Sequence, residues 1–345
     1  MQQRLHKYWR DPERLPPRKI TERSLAIIGT VERYKFLPTS LATALIGGNP
    51  RITQRHLQSL YHKGFINRFA FPRVGNPGEF IYYLDDVRSL ALLINAGADR
   101  EKLDFEGVKR NREKHYCDIN LGHRIDDLQG RLMHLQHEIM ISRFHAMLEL
   151  SCRQSNGKVV LIDFRQGAQL WNRVEVSKLF YEDSGAYREL DETEMLPHRP
   201  DAFFTLQFRN EPSSQQQVHF FYEADRKHTS IKKHNRKLRA HFHYIVKQRR
   251  QEQDYGIKRV RAVLIETVDD SWADSLRSAA AHPAVSGSKP SPLFWFTTSR
   301  LFMQQIETDE NGRKRQVPYY RLHPEIVLKK IWASPVDDTL YSLFD

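Results

Sequence analysis

HRPDAFFTLQF (residues 198–208) and VHFFYEADRKHTSIKKHNRKLRAHFHYI (218–245) decide how this chain folds. Each contains an apolar, aromatic run of strand length, DAFFTLQF at 201–208 and VHFFYEAD at 218–225, bounded by polar residues. The second stretch then changes to a helical period from about Ser230 to Gln251, with Leu238, Phe242 and Ile245 as its apolar stripe. Working outward, KVVLIDF (158–164), RVRAVLIET (259–267) and LFWFTT (293–298) read as strands, and SWADSLRSAAA (271–281) reads as a helix. Upstream, a long helix fits residues 123–154, with Leu128, Leu132, Leu135, Ile139, Phe144, Met147 and Leu148 on one side and Gly157 ending the segment. Strands and helices in this alternation predict a layered α/β domain.

Acidic residues converge on that layout. Asp201 opens one strand, and Glu223 and Asp225, two apart near the end of the next, project from a single face. If Glu138 on the long helix leans over the same strand ends, Glu138, Asp201, Glu223 and Asp225 form an oxygen ligand set suited to Mg2+. Such an ion polarises a phosphoryl oxygen and activates water. Each acid alone is more often an ordinary surface charge, so only their joint placement points to a metal. The helix after Ser230 adds Lys232, Lys233, Arg236, Lys237, Arg239, Lys247, Arg249 and Arg250, a cationic face able to lie along a phosphate backbone.

The first hundred residues carry a different pattern. Thr21 caps a helix with Leu25, Ile28, Val31 and Phe36 near helical spacing, and TSLATALIGG (39–48) gives a short second helix closed by Gly47 and Gly48. Asn49 and Pro50 start a third, PRITQRHLQSLYHKG, stopped by Gly64. Ile52, Leu57, Leu60 and Tyr61 are expected in its core face, and Arg51, Gln54, Arg55, Gln58 and His62 on its outer face. Arginine pairs with guanine and glutamine with adenine in a major groove, so this is the chemistry of a recognition helix. FINRFAFPRVGNPGEFIYYL (65–84) alternates around the turn Gly75-Asn76-Pro77-Gly78 and reads as a hairpin whose Arg68, Arg73 and Tyr82 are placed to touch phosphates. Three helices followed by a hairpin predict a winged helix-turn-helix over residues 1–100.

The chain has 345 residues, enough for two domains, and a net charge of +12. That charge is concentrated: residues 1–84 hold 14 basic and 5 acidic side chains, and residues 226–261 hold 13 basic and 2 acidic. Two separated cationic blocks fit a polyanion, because each lysine or arginine beside a phosphate releases a counterion. Double-stranded DNA is the expected partner, with both blocks on one exposed flank; either block alone would equally suit a solvated helix face. A charged first twenty residues and no long apolar run predict a cytoplasmic protein with no membrane partner. Two cysteines, Cys117 and Cys152, preclude a disulfide framework, and the histidines lack zinc spacing. Nucleotide-binding and hydrolase-elbow motifs are absent.

The tripeptide Arg199-Pro200-Asp201, the strand end Glu223-Ala224-Asp225-Arg226, and Lys237 with Tyr244 seven residues on give residues 20–300 a resemblance to the replication-relaxation family of bacterial mobile elements. The resemblance implies a winged helix joined to a PD-(D/E)xK nuclease-like α/β domain, and a role in plasmid replication, relaxation or mobilisation. On this reading residues 1–100 are the DNA-binding domain, 101–123 a polar linker, 124–310 the nuclease-like domain and 311–345 a C-terminal extension. One departure is informative: a cleaving enzyme of that type has Glu-x-Lys where this chain has Glu223-Ala224-Asp225. Either Lys233 or Lys237 from the next helix replaces the missing cation, making Asp201, Glu223, Asp225 and Lys237 a catalytic set, or the domain binds DNA without cutting. Three functions stay open: a duplex-binding mobile-element protein, a Mg2+-dependent endonuclease or nickase, and a winged-helix transcription regulator. Other replication or mobilisation proteins, or a second copy of the chain, are further expected partners.

Overall fold

A computed structural model describes residues 6, 9–10, 20–70, 78–116, 128–181, 187–209, 216–308 and 312–344. Two compact units emerge, Met1–Ala146 with Gln304–Leu322 and Met147–Met303 with His323–Asp345. Together they combine helices with a mixed seven-stranded sheet, an α/β chain overall.

In the first unit α1 (Glu22–Tyr34) begins where the Thr21 side chain accepts the Ser24 N–H, and it buries Ile27, Ile28 and Val31. β1 (Leu37–Pro38) leads into α2 (Thr39–Ile46), then α3 (Pro50–His62), which starts at Asn49 through its side-chain bond to the Arg51 N–H. Gly64, at φ +79°, ends that turn of chain in a conformation other residues resist. β2 (Asn67–Ala70) and β3 (Phe80–Tyr83) pair antiparallel in a three-stranded sheet of order β1-β3-β2. The hairpin is docked by buried Glu79, which accepts the Ser40 backbone N–H at 2.8 Å and the Ser40 hydroxyl at 3.1 Å. A carboxylate there suits the positive N-terminal end of α2. Behind the sheet, Phe36, Phe69, Ile81 and Tyr83 form a core with Tyr116, Leu135 and Ile139.

α4 (Val87–Asn95) follows, then α5 (Phe105–Glu113), which lies inside the stretch expected as linker. Asp104 caps α5 by accepting the Gly107 N–H, while Val108 supplies its buried contact. α6 (Leu128–Gln154) is the long helix, and the division between the two units falls within it rather than near Arg124.

The second unit is built on β4 (Val159–Gln166), a ribbon of β5 (Asn172–Tyr181) and β6 (Tyr187–His198), then β7 (Ala202–Phe208) and β8 (Gln217–Ala224). α7 (Ile231–Phe242) continues through a π turn at His243–Lys247 to α8 (Arg250–Tyr255). β9 (Val260–Thr267), α9 (Asp270–Ala280), α10 (Pro283–Ser286) and β10 (Phe294–Thr298) complete the layers. β11 (Met303–Thr308) and β12 (Lys314–Leu322) pair as a hairpin, and β13 (Trp332–Ala333) and β14 (Leu340–Tyr341) return to the sheet edge.

The sheet order is β14-β13-β10-β9-β8-β7-β4, with β8, β9 and β10 parallel and the flanking pairs antiparallel. Successive residues of β7, β9 and β10 are buried, so these strands are covered on both faces, which explains their unbroken apolar runs. On one face Phe203, Phe221, Val263, Ile265, Phe294 and Phe296 pack with Leu238, Tyr244 and Leu276. Among the described residues no helix is long and apolar enough to cross a membrane.

Candidate functional site

The strand register brings the acids together. Ala202 pairs with Tyr222, so Asp201, one residue before β7, lies beside Glu223 on β8. The Asp201 backbone N–H donates to the Tyr222 carbonyl at 3.1 Å, and its Oδ2 accepts the Ala224 N–H at 2.8 Å. Glu223 is only 3% exposed. Two residues one helical turn apart on α7 meet it: Lys237 Nζ is hydrogen-bonded to Oε2, and His241 Nε2 lies 2.6 Å from Oε1. Lys237 Nζ is also 4.0 Å from Asp201 Oδ2.

The electrostatics of this cluster are self-compensating. Burial, reinforced by the neighbouring Asp201 carboxylate, pushes the Glu223 pKa well above its ordinary range, against the pull of Lys237. For Lys237 burial acts downward, but Glu223 and Asp201 outweigh it and hold the ammonium charged. A proton retained on Glu223 leaves one ammonium facing one carboxylate, a neutral group. Burial, aided by Lys237, lowers His241 to about 3 and keeps that ring neutral. Behind it, His198 stacks on Tyr244 at 3.8 Å between ring centroids and meets the His241 ring edge-on at 4.7 Å. Burial keeps His198 neutral too, and neither of its ring nitrogens has a hydrogen-bond partner among the described residues.

Asp225 acts on this cluster through its charge, which helps to raise Lys237, but its hydrogen bonds go elsewhere. Its Oδ2 is bonded to His234 Nε2, while Oδ1 accepts the Trp272 indole N–H and the Lys227 backbone N–H. Burial acts to raise its pKa, but these bonds, that from His234 foremost, hold it below the usual value. Asp225 thus ties the end of β8 to α7 and α9. Glu138 belongs to the other compact unit, where His137 Nδ1 is 3.9 Å away. Burial acts to raise Glu138, and His137, His134 and Lys35 outweigh it, so its pKa is lowered.

Glu138, Asp201, Glu223 and Asp225 therefore do not form the expected Mg2+ ligand set. Among the described residues no group of three or more His, Cys, Asp or Glu side chains is arranged to hold a metal ion. Mg2+ needs octahedral oxygens with room for several waters. Glu223 already spends its oxygens on Lys237 and His241, and Asp225 spends its own on three donors.

The residues expected to meet DNA also divide. On α3, Arg51, Arg55 and Gln58 are exposed and Gln54 is half-buried, and none of their side chains has a hydrogen-bond or ion-pair partner among the described residues. Ile52 is 46% exposed rather than in the core, because the first turn of α3 turns Thr53 inward instead, where it is fully buried and bonded to Arg23. His62 is 2% exposed rather than outward-facing, and burial together with Arg68 lowers it to about 4. Helical period alone places it with Arg51 and Arg55, but the end of α3 is covered by neighbouring chain, including Arg10, whose guanidinium lies 4.9 Å from the Tyr61 ring. Arg68 is no phosphate contact either: it is 3% exposed and sandwiched between the Tyr61 and Phe80 rings, at 4.2 and 4.1 Å. Arg73 lies outside the described residues.

In the second basic block Lys232 and Lys233 are exposed, whereas Arg236 pairs with Glu194 at 2.7 Å. Arg239, expected along a phosphate backbone, is 3% exposed and donates to the Ser177 carbonyl at 2.7 Å. Arg236 and Arg239 thus clamp α7 to the β5–β6 ribbon. His241, His234, His198 and Trp272 were not among the candidate site residues. The four-residue step from Lys237 to His241, on the helix following the acidic strand, is the sequence signal that points to the first of them.

A family model described as replication-relaxation matches residues 28–260, more than half of the chain. No curated protein and no solved structure matched.

Proposed function

The chain belongs to the replication-relaxation family, and from that premise we propose that it binds double-stranded DNA in the replication or relaxation of a plasmid or other mobile element. The first unit acts as a winged helix, with α3 as the recognition helix and β2–β3 as the wing base. One observation carries this reading: Arg51, Gln54, Arg55 and Gln58 form an outward cationic and amide face with no hydrogen-bond or ion-pair partner among the described residues. Side chains left unpaired at the surface keep their full capacity for guanine, adenine and phosphate. In fluorescence anisotropy with a labelled random-sequence duplex, R51A/R55A is expected to bind at least tenfold more weakly than the parent, since each lost arginine contact is worth about 1–3 kcal/mol. Equal binding by the two proteins refutes the assignment.

In this reading the second unit is a nuclease-like scaffold that does not cleave. Its Asp201–Glu223–Lys237–His241 cluster is charge-balanced and internally bonded. A second reading, an endonuclease or nickase, is favoured by one feature: Lys237 comes from α7 to the acids at the position where the strand itself lacks a lysine. Supercoiled plasmid incubated with Mg2+ or Mn2+ separates the two. Intact plasmid supports the binding role, and nicked or linear product that disappears in D201A supports cleavage.

A further inference from the structure

The base of the β5–β6 ribbon turns an unusual face outward. Asn172 pairs with His198 and Arg173 with Pro197, so Trp171 and Arg199 meet just beyond the last rung. Val174, Val176, Leu196 and His198 turn inward, which leaves Trp171, Arg173 and Glu175 on one strand and Met195, Pro197 and Arg199 on the other exposed; the Glu175 carboxylate, across from Met195, accepts the Thr193 hydroxyl. Trp171 and Met195 are each 52% exposed, well above what a packed ribbon leaves to solvent. The Arg199 guanidinium lies 5.0 Å from the centroid of the Trp171 ring. Neither Arg173 nor Arg199 pairs with a carboxylate among the described residues, although the rest of the ribbon is rich in acids such as Glu189, Asp191 and Glu192.

Two solvated cations along the ribbon are matched: Lys178 pairs with Glu192, and Arg236 of α7 with Glu194. Arg173 and Arg199 lie together beside the exposed indole, whereas Arg188, at the other end of the ribbon, stands 5.3 Å from the Phe180 ring. Flat aromatic surface, a stacked guanidinium and uncompensated positive charge are the three elements of sites that hold unpaired nucleotides, whose bases stack on the rings while arginines follow the phosphates. A duplex hides its base faces within its own stack and offers this surface little beyond charge. We infer that the Trp171–Arg199 face, with Arg173, Pro197 and Met195, binds single-stranded DNA by base stacking, two residues before Asp201 in the chain.

This goes beyond the duplex reading and is separable from it. A fluorescein-labelled oligo(dT) of about ten nucleotides, within the span usual for one such surface, is titrated with the full chain at low salt. Anisotropy and quenching of tryptophan emission are followed together. W171A is expected to bind about tenfold or more weakly, W171F to retain most of the affinity, and an abasic strand of equal length to bind as poorly as oligo(dT) does to W171A. R173A/R199A weakens binding and reduces its salt dependence. Thermal melting followed by circular dichroism checks that each variant is folded. Duplex binding by W171A stays at the parent level, so a failure here does not touch the α3 assignment, and loss of duplex binding in R51A/R55A with oligo(dT) binding kept separates the reverse case. Binding of W171A or of the abasic strand within twofold of the parent complex, or no oligo(dT) binding at all, overturns the inference.

Discussion

The outer face of α3 and the end of β8 use the same cationic chemistry in opposite ways. Arg51 and Arg55 stand in solvent without partners among the described residues, whereas Lys237 is held against Glu223 and Asp201. Charge left unpaired at a surface is available to a polyanion. Charge paired inside the fold is committed to stability. Both blocks look equally cationic in a residue count, so a positive stretch points to a ligand only after its internal partners have been subtracted. Of the residues first assigned to DNA, His62, Arg68, Arg236 and Arg239 fail that subtraction.

The largest effect that tests this contrast comes from K237M, which leaves the carboxylate charge shared by Asp201 and Glu223 without its cation. Breaking a buried pair from one side typically costs 3–5 kcal/mol. Because the Lys237 side chain is one-third exposed, a loss of about 3 kcal/mol in chemical denaturation is expected. K237M/D201N recovers much of it. A K237M protein as stable as the parent removes Lys237 from the scaffold and returns it to the ligand-facing set.

Next in size is an acid dependence. His241 is held at about 3 in the fold and titrates near 6.5 when unfolded. Between those values the unfolded chain takes up a proton that the folded chain refuses, so stability falls as pH drops, by at most about 1.4 kcal/mol per pH unit. Glu223 has the opposite sign: its pKa is raised, so its contribution is present below 4.5 and is lost as pH rises above that. The two oppose each other between pH 4.5 and 6.5, and His241 is separated from Glu223 below 4.5. Melting curves of H241Q are therefore expected to flatten relative to the parent between pH 3 and 4.5, and an unchanged slope there places the titration elsewhere. The smallest effect sharpens the first unit: R68A loses about 1–2 kcal/mol from its two ring contacts, while duplex affinity of the folded protein stays at the parent value.

Much of this arrangement is legible in the sequence because the residues concerned obey local rules. The three N-terminal helices follow their caps and glycines, and β7, β8, β9 and β10 follow their apolar runs. The β5–β6 ribbon was not read because its buried set is small, Val174, Val176 and Leu196 among many charged neighbours, and its order depends on α7 packing against it. α5 was read as linker for a related reason: FEGVKRNRE has no apolar period and is fixed by the Asp104 cap. The site divides in the same way. Carboxylates at strand ends can be placed from a period of two, but which of them meet depends on strand register, and what neutralises them depends on a helix that arrives from elsewhere in the sequence. Period likewise cannot see which neighbours cover each end of α3, where Thr53 rather than Ile52 is buried in the first turn and His62 is buried in the last.

The central claim is that DNA meets the unpaired face of α3. The salt dependence of duplex affinity tests it most directly, measured for the parent and R51A/R55A between about 50 and 200 mM salt. A steep linear fall of log affinity with log salt is predicted for the parent, with a slope reduced by about one for each phosphate contact removed in the variant. Parallel lines of equal slope, or a parent affinity that barely responds to salt, contradict it.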